Sequence, residues 1–193
     1  MINVVRSQAQ EDLLRGMGAT YVFNMRSPTF AEDLTHCLAE TDATAVFDAI
    51  SGGTLGSEIL ACMEAAQASK MSSYSHYGST TYKHLYMYGR LDVGPTILER
   101  RNLGASFGLS VFLLMPYLQK IGSVAAKRMQ QRVITELKTT FASHYSGEIS
   151  LAEVLRLDPV IAYTRRSTGE KYLVSPDMDF RIDGHSATLE VQP

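Results

Sequence analysis

The chain has 193 residues and a formal net charge of −2. This length suits one domain with a sizeable core, or one domain with an appended piece. Charges of both signs are interspersed, so we expect neither a nucleic-acid partner nor attachment to a membrane. Cys37 and Cys62 lack the spacing of a zinc cluster or a disulfide framework, which fits a reducing cytoplasm. We also expect no membrane span and no signal peptide, because the sequence has no long apolar run and no charged start followed by an apolar block.

Predicted strands and helices alternate along the first half. The predicted strands are MINVV, TYVFN, ATAVFDAI and HLYMYG. The predicted helices between them are SQAQEDLLRGMG, SPTFAEDLTHCLAE and GGTLGSEILACMEAAQAS. The strands are apolar and rich in β-branched or aromatic residues, whereas the helices repeat apolar residues at helical spacing. This alternation predicts an α/β domain with a parallel sheet and right-handed crossovers.

Gly16 and Gly18 could suggest a loop that binds phosphate. A dinucleotide-binding loop needs a strand before its glycines and a helix after them. Here a predicted helix comes first and a strand follows. We therefore interpret the glycines as a helix end, where glycine relieves left-handed backbone strain.

The second half is less regular. GASFGLSVFLLMPYL predicts a strand that runs into a helix, and KYLV predicts a last strand. A further amphipathic helix is predicted to pack through a stripe formed by Met129, Val133, Leu137 and Phe141. Ser150 and Glu153 form a capping-box pattern. We expect the polar tail from Ser175 onward to be poorly ordered.

The order of these segments resembles the cofactor domain of the medium-chain dehydrogenases and reductases, which include zinc alcohol dehydrogenases and zinc-free quinone reductases. The stretches that carry the resemblance are INVVRSQAQEDLLRGMGATYVFN, ATAVFDAISGG, LYMYGRL, NLGASFGLSVFLL, and ISLAEVLRL through GEKYLVSP. It implies a Rossmann-like, doubly wound parallel sheet over residues 1–142. Residues 143–176 would form a C-terminal helix and strand that return to the substrate domain, and residues 177–193 would be a disordered tail.

The resemblance leaves out the family's first strand, its glycine-rich pyrophosphate loop and its substrate domain. The absent strand is central in the order 3-2-1-4-5-6, so its loss would leave about 10 Å, two strand spacings, between the strands on either side. Either another segment fills this space, or the sheet rearranges, or the sequence is a fragment of a longer gene product.

The resemblance also implies the site residues. Arg6 and Ser7 end the first strand present, where an acid reads a ribose hydroxyl and an arginine accommodates a 2′-phosphate. No acid occurs before Glu11, which implies NADPH in preference to NADH. The alternative is that Arg6 is a solvated surface residue.

Two later loops complete the predicted cofactor site. Ile50, Ser51 and Gly52 follow the fourth family strand, where small residues let a cofactor approach the backbone, although these glycines also suit an ordinary turn. Tyr88 and Gly89 match the position near the nicotinamide, with Gly89 favoured because bulk there would obstruct the ring. No residue is assigned a catalytic or metal-binding role.

Residues 68–84 form a longer link than the family uses and contain three tyrosines, Tyr74, Tyr77 and Tyr82. None has the lysine four residues later that short-chain dehydrogenases use. We predict an elaborated loop or an extended helix end, whose aromatic residues pack against the domain or a partner.

The resemblance therefore implies part of an NADPH-dependent oxidoreductase, which we expect to form a homo-oligomer and to transfer hydride between the nicotinamide and a quinone or carbonyl. The zinc-dependent branch stays open, since its metal ligands would lie upstream. The alternative function is a truncated, non-catalytic domain that binds itself or a partner. In either case the isolated chain is expected to be inactive.

Overall fold

The computed structural model describes residues 1–99, 102–142, 144–165 and 171–177. The chain divides into two compact units, Met1–Tyr117 and Leu118–Pro193. The disordered tail was predicted for residues 177–193. Of these, residues 178–193 lie outside the described residues.

The first unit alternates strands and helices up to its fourth strand, as predicted. Its elements are β1 (Ile2–Val5), α1 (Gln8–Gly16), β2 (Tyr21–Asn24), α2 (Phe30–Thr41), β3 (Ala45–Asp48), α3 (Leu55–Ala68), β4 (Lys83–Met87) and β5 (Phe107–Val111). The interpretation of Gly16 and Gly18 as a helix end is confirmed, because Gly18 has φ 89° and its N–H donates to the Arg15 carbonyl at 2.9 Å.

The strands form two separate parallel sheets in this unit. β1 pairs with β2, while β3, β4 and β5 form a second sheet in that order. Among the described residues no ladder joins β1 to β3. The fold class is therefore confirmed, including the prediction that the parallel sheet is incomplete.

Helices α2 and α3 form the core with the strands they cover. Leu34 and Leu38 of α2, Leu60 and Met63 of α3, and Leu85 of β4 are almost fully buried. Burying each such side chain contributes about 1.5–3 kcal/mol. The apolar periodicity of the two helices thus determines which face of each helix is buried.

The second unit contains smaller elements. After α4 (Leu114–Thr135), which begins in the last residues of the first unit, come β6 (Gly147–Ile149), a 3-10 helix (Glu153–Leu155), α5 (Leu157–Thr164) and β7 (Tyr172–Val174). β6 and β7 are parallel. The predicted capping box is confirmed, since the Ser150 N–H donates to Glu153 Oε2 at 3.0 Å and the Glu153 N–H donates to Ser150 Oγ at 3.2 Å.

The apolar stripe predicted to pack in this unit is not buried. Met129 and Val133 are 42% and 41% exposed, and α4 contains no buried residue. Gly122, with φ 80°, interrupts the helix, which ends at Thr135. Leu137 and Phe141 therefore lie beyond the helix, so the four residues do not form one continuous face, and the packing prediction is wrong. Among the described residues, no helix combines the length and apolar character needed to cross a bilayer.

Candidate functional site

The loop after β3 is held by a carboxylate at the strand's end. Asp48 is 9% exposed, and its Oδ1 accepts the N–H of Ile50 at 2.8 Å and that of Ser51 at 3.1 Å. This Asx-type turn places Ser51 at φ 64°, in the left-handed region that non-glycine residues rarely occupy. Strained backbone at the carboxyl end of a parallel strand is a feature of binding loops.

The loop after β4 lies directly against this turn. The Tyr88 N–H donates to the Asp48 carbonyl at 2.9 Å, and Ser51 Oγ donates to the Gly89 carbonyl at 2.6 Å. A Cβ on Gly89 would collide with the carbonyl oxygen of Ala49 and lie 2.8 Å from its Cα. Glycine is therefore required at this position because the neighbouring loop occupies the space of a side chain. The resemblance had instead suggested that glycine leaves space for a nicotinamide ring.

The glycines that follow Ser51 also have structural roles. A Cβ on Gly52 would lie 2.7 Å from Asp92 Cβ, so only glycine fits against that side chain. Gly53 has φ 73°, and its N–H donates to the Pro95 carbonyl at 3.0 Å. Both constraints arise from contacts within this chain. They therefore support the interpretation of these glycines as ordinary turn residues, and they do not exclude a ligand.

Arg6 and Ser7 lie at the carboxyl end of β1. Ser7 is the N-cap of α1, and its Oγ accepts the Gln10 N–H at 3.3 Å. Arg6 is exposed, and its backbone N–H donates to Gln10 Oε1 at 3.1 Å. Its guanidinium contacts no acceptor or carboxylate among the described residues. The arginine thus presents a charge at the strand end, whereas the serine hydroxyl has a capping role.

A cavity of about 530 Å³ lies between β1 and β3. Its lining comprises Met1, Ile2, Asn3, Val4, Leu14, Leu34, Leu38, Ala43, Ala45, Val46, Phe47, Asp48, Ala49, Ile50, Leu55, Ile59, Met63 and Tyr88. Of the predicted cofactor residues, the cavity brings together Ile50 and Tyr88. Arg6, Ser7, Ser51, Gly52 and Gly89 lie outside its lining. Its volume and mostly apolar walls are those of a ligand pocket.

Sequence reasoning missed a buried ionic cluster behind this edge. Lys83 Nζ donates to Glu64 Oε2 at 2.5 Å, and Ser79 donates to the same carboxylate through its N–H at 2.6 Å and its Oγ at 2.5 Å. The side chains of Lys83 and Glu64 are 0% and 6% exposed. A Cβ on Gly104 would collide with the Glu64 carboxylate. The only signals in the sequence were a lysine at the start of an apolar strand and a glutamate inside an apolar helix.

Burial raises the pKa of Glu64, but the hydrogen bonds from Lys83 and Ser79 outweigh it, so the pKa lies below its ordinary value. The carboxyl is therefore ionised and paired at neutral pH. None of these three side chains lines the cavity. The cluster is best explained as a structural link between α3 and β4.

The aromatic residues of the 68–84 link behave differently from one another. Tyr74 and Tyr77 are 90% and 78% exposed, so they do not pack against the domain as one alternative predicted. The Tyr82 hydroxyl and Nδ1 of His84 share a hydrogen bond of 2.8 Å, and Nε2 of His84 lies 2.7 Å from Ser110 Oγ.

Among the described residues no cluster of His, Cys, Asp and Glu is arranged to hold a metal ion.

The fold has counterparts among solved structures. An assigned NADPH:quinone reductase of Mesorhizobium loti matches with a TM-score of 0.62 and 20% identity over 91% of this chain. One from Bacillus thuringiensis matches with a TM-score of 0.57 and 18% identity over 90% of the chain, and the CurK enoyl reductase with 0.52 and 15% over 90%. No family model and no curated protein matches the sequence.

These similarities cover only part of the neighbours. The chain spans 45% of the Mesorhizobium loti protein, 48% of the Bacillus thuringiensis protein and 46% of CurK. The chain therefore shares its fold with about half of each of these solved structures, which agrees with the resemblance drawn from the order of the sequence segments.

Proposed function

We propose that this chain is the cofactor-domain portion of an NADPH-dependent oxidoreductase that acts on a quinone or carbonyl substrate. The fold similarity to two solved structures assigned as NADPH:quinone reductases, over about nine-tenths of the chain, carries the proposal. Because the chain spans less than half of each, substrate choice and turnover are assigned to a longer protein that includes this domain.

Arg6 is the residue proposed to select the cofactor. It is exposed at the carboxyl end of β1, where a guanidinium makes charge-assisted hydrogen bonds to a 2′-phosphate. The nearest following acid, Glu11, pairs with Arg15 at 2.9 Å. A carboxylate that is already paired is poorly suited to bind a ribose hydroxyl, so the site favours NADPH over NADH.

The loops at the ends of β3 and β4 are proposed to hold the cofactor, the first loop beside its adenosine and ribose and the second beside its nicotinamide. Asp48 holds Ile50 and Ser51 through their N–H groups, and Ser51 ties the first loop to Gly89 of the second. These bonds fix both loops before a ligand arrives, which lowers the ordering cost of binding. Bound NADPH supplies the hydride, while the protein contributes position and electrostatics.

Variants of Arg6 test the cofactor assignment. In the longer protein, Arg6→Ala should weaken NADPH binding by about 1.5–3 kcal/mol, because it removes hydrogen bonds to a charged group. NADH binding should change little. Lys127→Ala is the control, since Lys127 is an exposed cation of α4 in the second unit. Fluorescence titration of both cofactors measures the effect, and equal losses for NADPH and NADH would refute the 2′-phosphate assignment.

The isolated chain provides a second test. It lacks the glycine loop that binds pyrophosphate and the domain that positions the substrate in the related fold. We expect residues 1–193 alone to oxidise no NADPH with a panel of quinones and aldehydes, and a longer protein with both parts to do so. Turnover by the short chain would show that a complete site lies within it and that the assignment is wrong.

A further inference from the structure

Ser110, His84 and Tyr82 form a hydrogen-bonded triad on the first unit. Ser110 Oγ lies 2.7 Å from Nε2 of His84, and Nδ1 of the same ring lies 2.8 Å from the Tyr82 hydroxyl oxygen. The histidine is on β4, the serine is on β5, and the tyrosine directly precedes β4. A hydroxyl, an imidazole within reach of it and a third group that orients the imidazole make up the arrangement by which enzymes activate a serine.

A glycine on β5 allows the tyrosine to reach the imidazole. Gly108 pairs with His84 across the two strands. A Cβ on Gly108 would collide with the Tyr82 hydroxyl oxygen and would lie 3.2 Å from Nδ1 of His84. The absence of a side chain at this position therefore leaves the space in which the hydroxyl meets the ring.

The imidazole can act as a base toward Ser110. Both hydroxyls of the triad can donate or accept a hydrogen bond, so the two contacts suit either neutral form of His84. With the proton on Nδ1, the ring donates to Tyr82, and Nε2 accepts the O–H of Ser110. Tyr82 then orients the ring as the third group of a triad does, although a neutral hydroxyl stabilises an imidazolium less than a carboxylate would.

The sheet face beside the triad is aromatic and exposed. The Tyr86 ring stacks on His84 with ring centroids 4.0 Å apart, and Phe47 stacks on Tyr86 at 5.1 Å. Phe112 meets both Phe47 and Tyr86 edge-on. Phe47 is 59% exposed, and none of these rings carries a permanent charge. A planar, uncharged group can therefore pack against this face next to the serine.

A backbone donor follows the serine directly. The Phe112 N–H donates to the Met87 carbonyl at 2.8 Å, so alternate residues of β5 direct their N–H groups toward β4. The intervening N–H of Val111 points away from β4 and, within the described part of the chain, has no partner. It is available while β5 is an edge strand, as in this structure. In α/β-hydrolases the N–H that follows the nucleophile stabilises the oxyanion, and Val111 has that position relative to Ser110.

We propose that Ser110 is a nucleophile that hydrolyses uncharged aryl esters, with His84 as the general base and Tyr82 as the residue that positions it. Ser110 Oγ forms a bond to the acyl carbon while Nε2 of His84 takes the hydroxyl proton. The bond between the acyl carbon and the aryl oxygen then breaks, and a phenol leaves with that proton. Water attacks the acyl-serine next, His84 transfers one proton from the water to Ser110 Oγ, and a carboxylic acid is released.

Two features of the site favour aryl esters. Because Tyr82 is a weaker orienting group than a carboxylate, the reaction needs a good leaving group, and a phenolate leaves more readily than an alkoxide. The aryl ring can also pack against Tyr86 and Phe47. The reaction uses only the ester and water, so it is independent of NADPH, and either proposal can fail while the other stands.

A fluorophosphonate probe tests the nucleophile on the whole, unmodified chain. The probe forms a phosphorus–oxygen bond to an activated serine and releases fluoride, and peptide mass spectrometry locates the modified residue. We expect modification at Ser110 that p-nitrophenyl acetate slows by competition. Ser72, an exposed serine of the 68–84 link, is the internal control and should stay unmodified. No modification of Ser110, or equally fast modification of Ser72, would overturn the proposal.

Release of p-nitrophenol from p-nitrophenyl acetate tests the roles of the serine and the histidine. Ser110→Ala and His84→Gln should each lower kcat/KM at least about tenfold, because each removes a group that acts in bond formation or proton transfer. His76→Gln is the matched control, since His76 is an exposed imidazole outside the triad, and it should leave the rate unchanged. Equal losses for His76→Gln and His84→Gln would show that surface imidazoles hydrolyse the ester, and the proposal would be wrong.

Tyr82→Phe tests the positioning role. This variant keeps the aromatic ring and removes only the hydroxyl that contacts His84. It should lower kcat and leave KM unchanged, which a merely structural role would not produce. An unchanged kcat would overturn the role of Tyr82. Circular dichroism checks that each variant is folded, and if one is not, the modification of the unmodified chain by the fluorophosphonate decides.

Discussion

Replacing Lys83 by methionine would leave the Glu64 carboxylate buried without its cation. The lysine side chain is fully buried, and Ser79 alone would remain to bind the carboxylate. Breaking a buried ion pair by removing one partner costs about 3–5 kcal/mol. With a urea m-value of about 2 kcal/mol/M, the unfolding midpoint should fall by about 2 M at neutral pH. Urea unfolding followed by circular dichroism measures this shift.

The cost of Lys83→Met should depend on pH. Burial alone raises the pKa of Glu64, and in the native protein the bonds from Lys83 and Ser79 reverse this effect and hold the pKa below 4.5. The native ion pair thus contributes stability above that pH, which is lost as the pH falls through the lowered pKa. Without Lys83, burial dominates, so the carboxyl takes up a proton at a higher pH. The loss of stability should therefore be large at neutral pH and much smaller at about pH 4.

Two further variants test whether the unpaired buried charge causes the loss of stability. The double variant Glu64→Gln/Lys83→Met removes both charges and keeps an acceptor for Ser79, so it should be more stable than Lys83→Met at neutral pH. Lys70→Met is the matched control, because Lys70 pairs with Asp42 at the surface, and it should shift the midpoint little. If the single and double variants had equal midpoints, the unpaired buried charge would not be the cause of the loss.

Two further predictions concern the first unit. β5 is the edge strand of its sheet in the described structure, and Val111 is 64% exposed. If this edge forms a homodimer, Val111→Lys should give a smaller species by light scattering. A wild-type protein that is already monomeric would refute the idea. Cys37 and Cys62 are buried, and burial raises the pKa of both thiols. Both should therefore react with a thiol reagent at the rate of unfolding, and fast labelling of either in the native protein would contradict the structure.

Local patterns in the sequence were sufficient for the elements of the first unit and their order. Strands rich in aromatic and β-branched residues, such as Tyr21–Asn24, and amphipathic helices, such as Phe30–Thr41, are specified by residues that lie near one another in the chain. The capping box at Ser150 and the helix end at Gly18 were predictable for the same reason, since both motifs are completed within a few residues. The resemblance predicted that a central strand is absent from the sheet. The observed separation of β1 and β3 into two sheets, among the described residues, agrees with this prediction.

Contacts between distant residues could be known only from the tertiary structure. Glu64 and Lys83 are 19 positions apart, and nothing local marks either side chain as buried. Gly89 is required because Ala49, on another loop, occupies the space of its side chain. Periodicity also failed for Met129 and Val133, since an apolar stripe indicates which helix face prefers burial but cannot supply the surface that would bury it. The sequence therefore determined the segments and their order, whereas the fold decided which residues meet, because burial and close contact depend on what the rest of the chain places beside them.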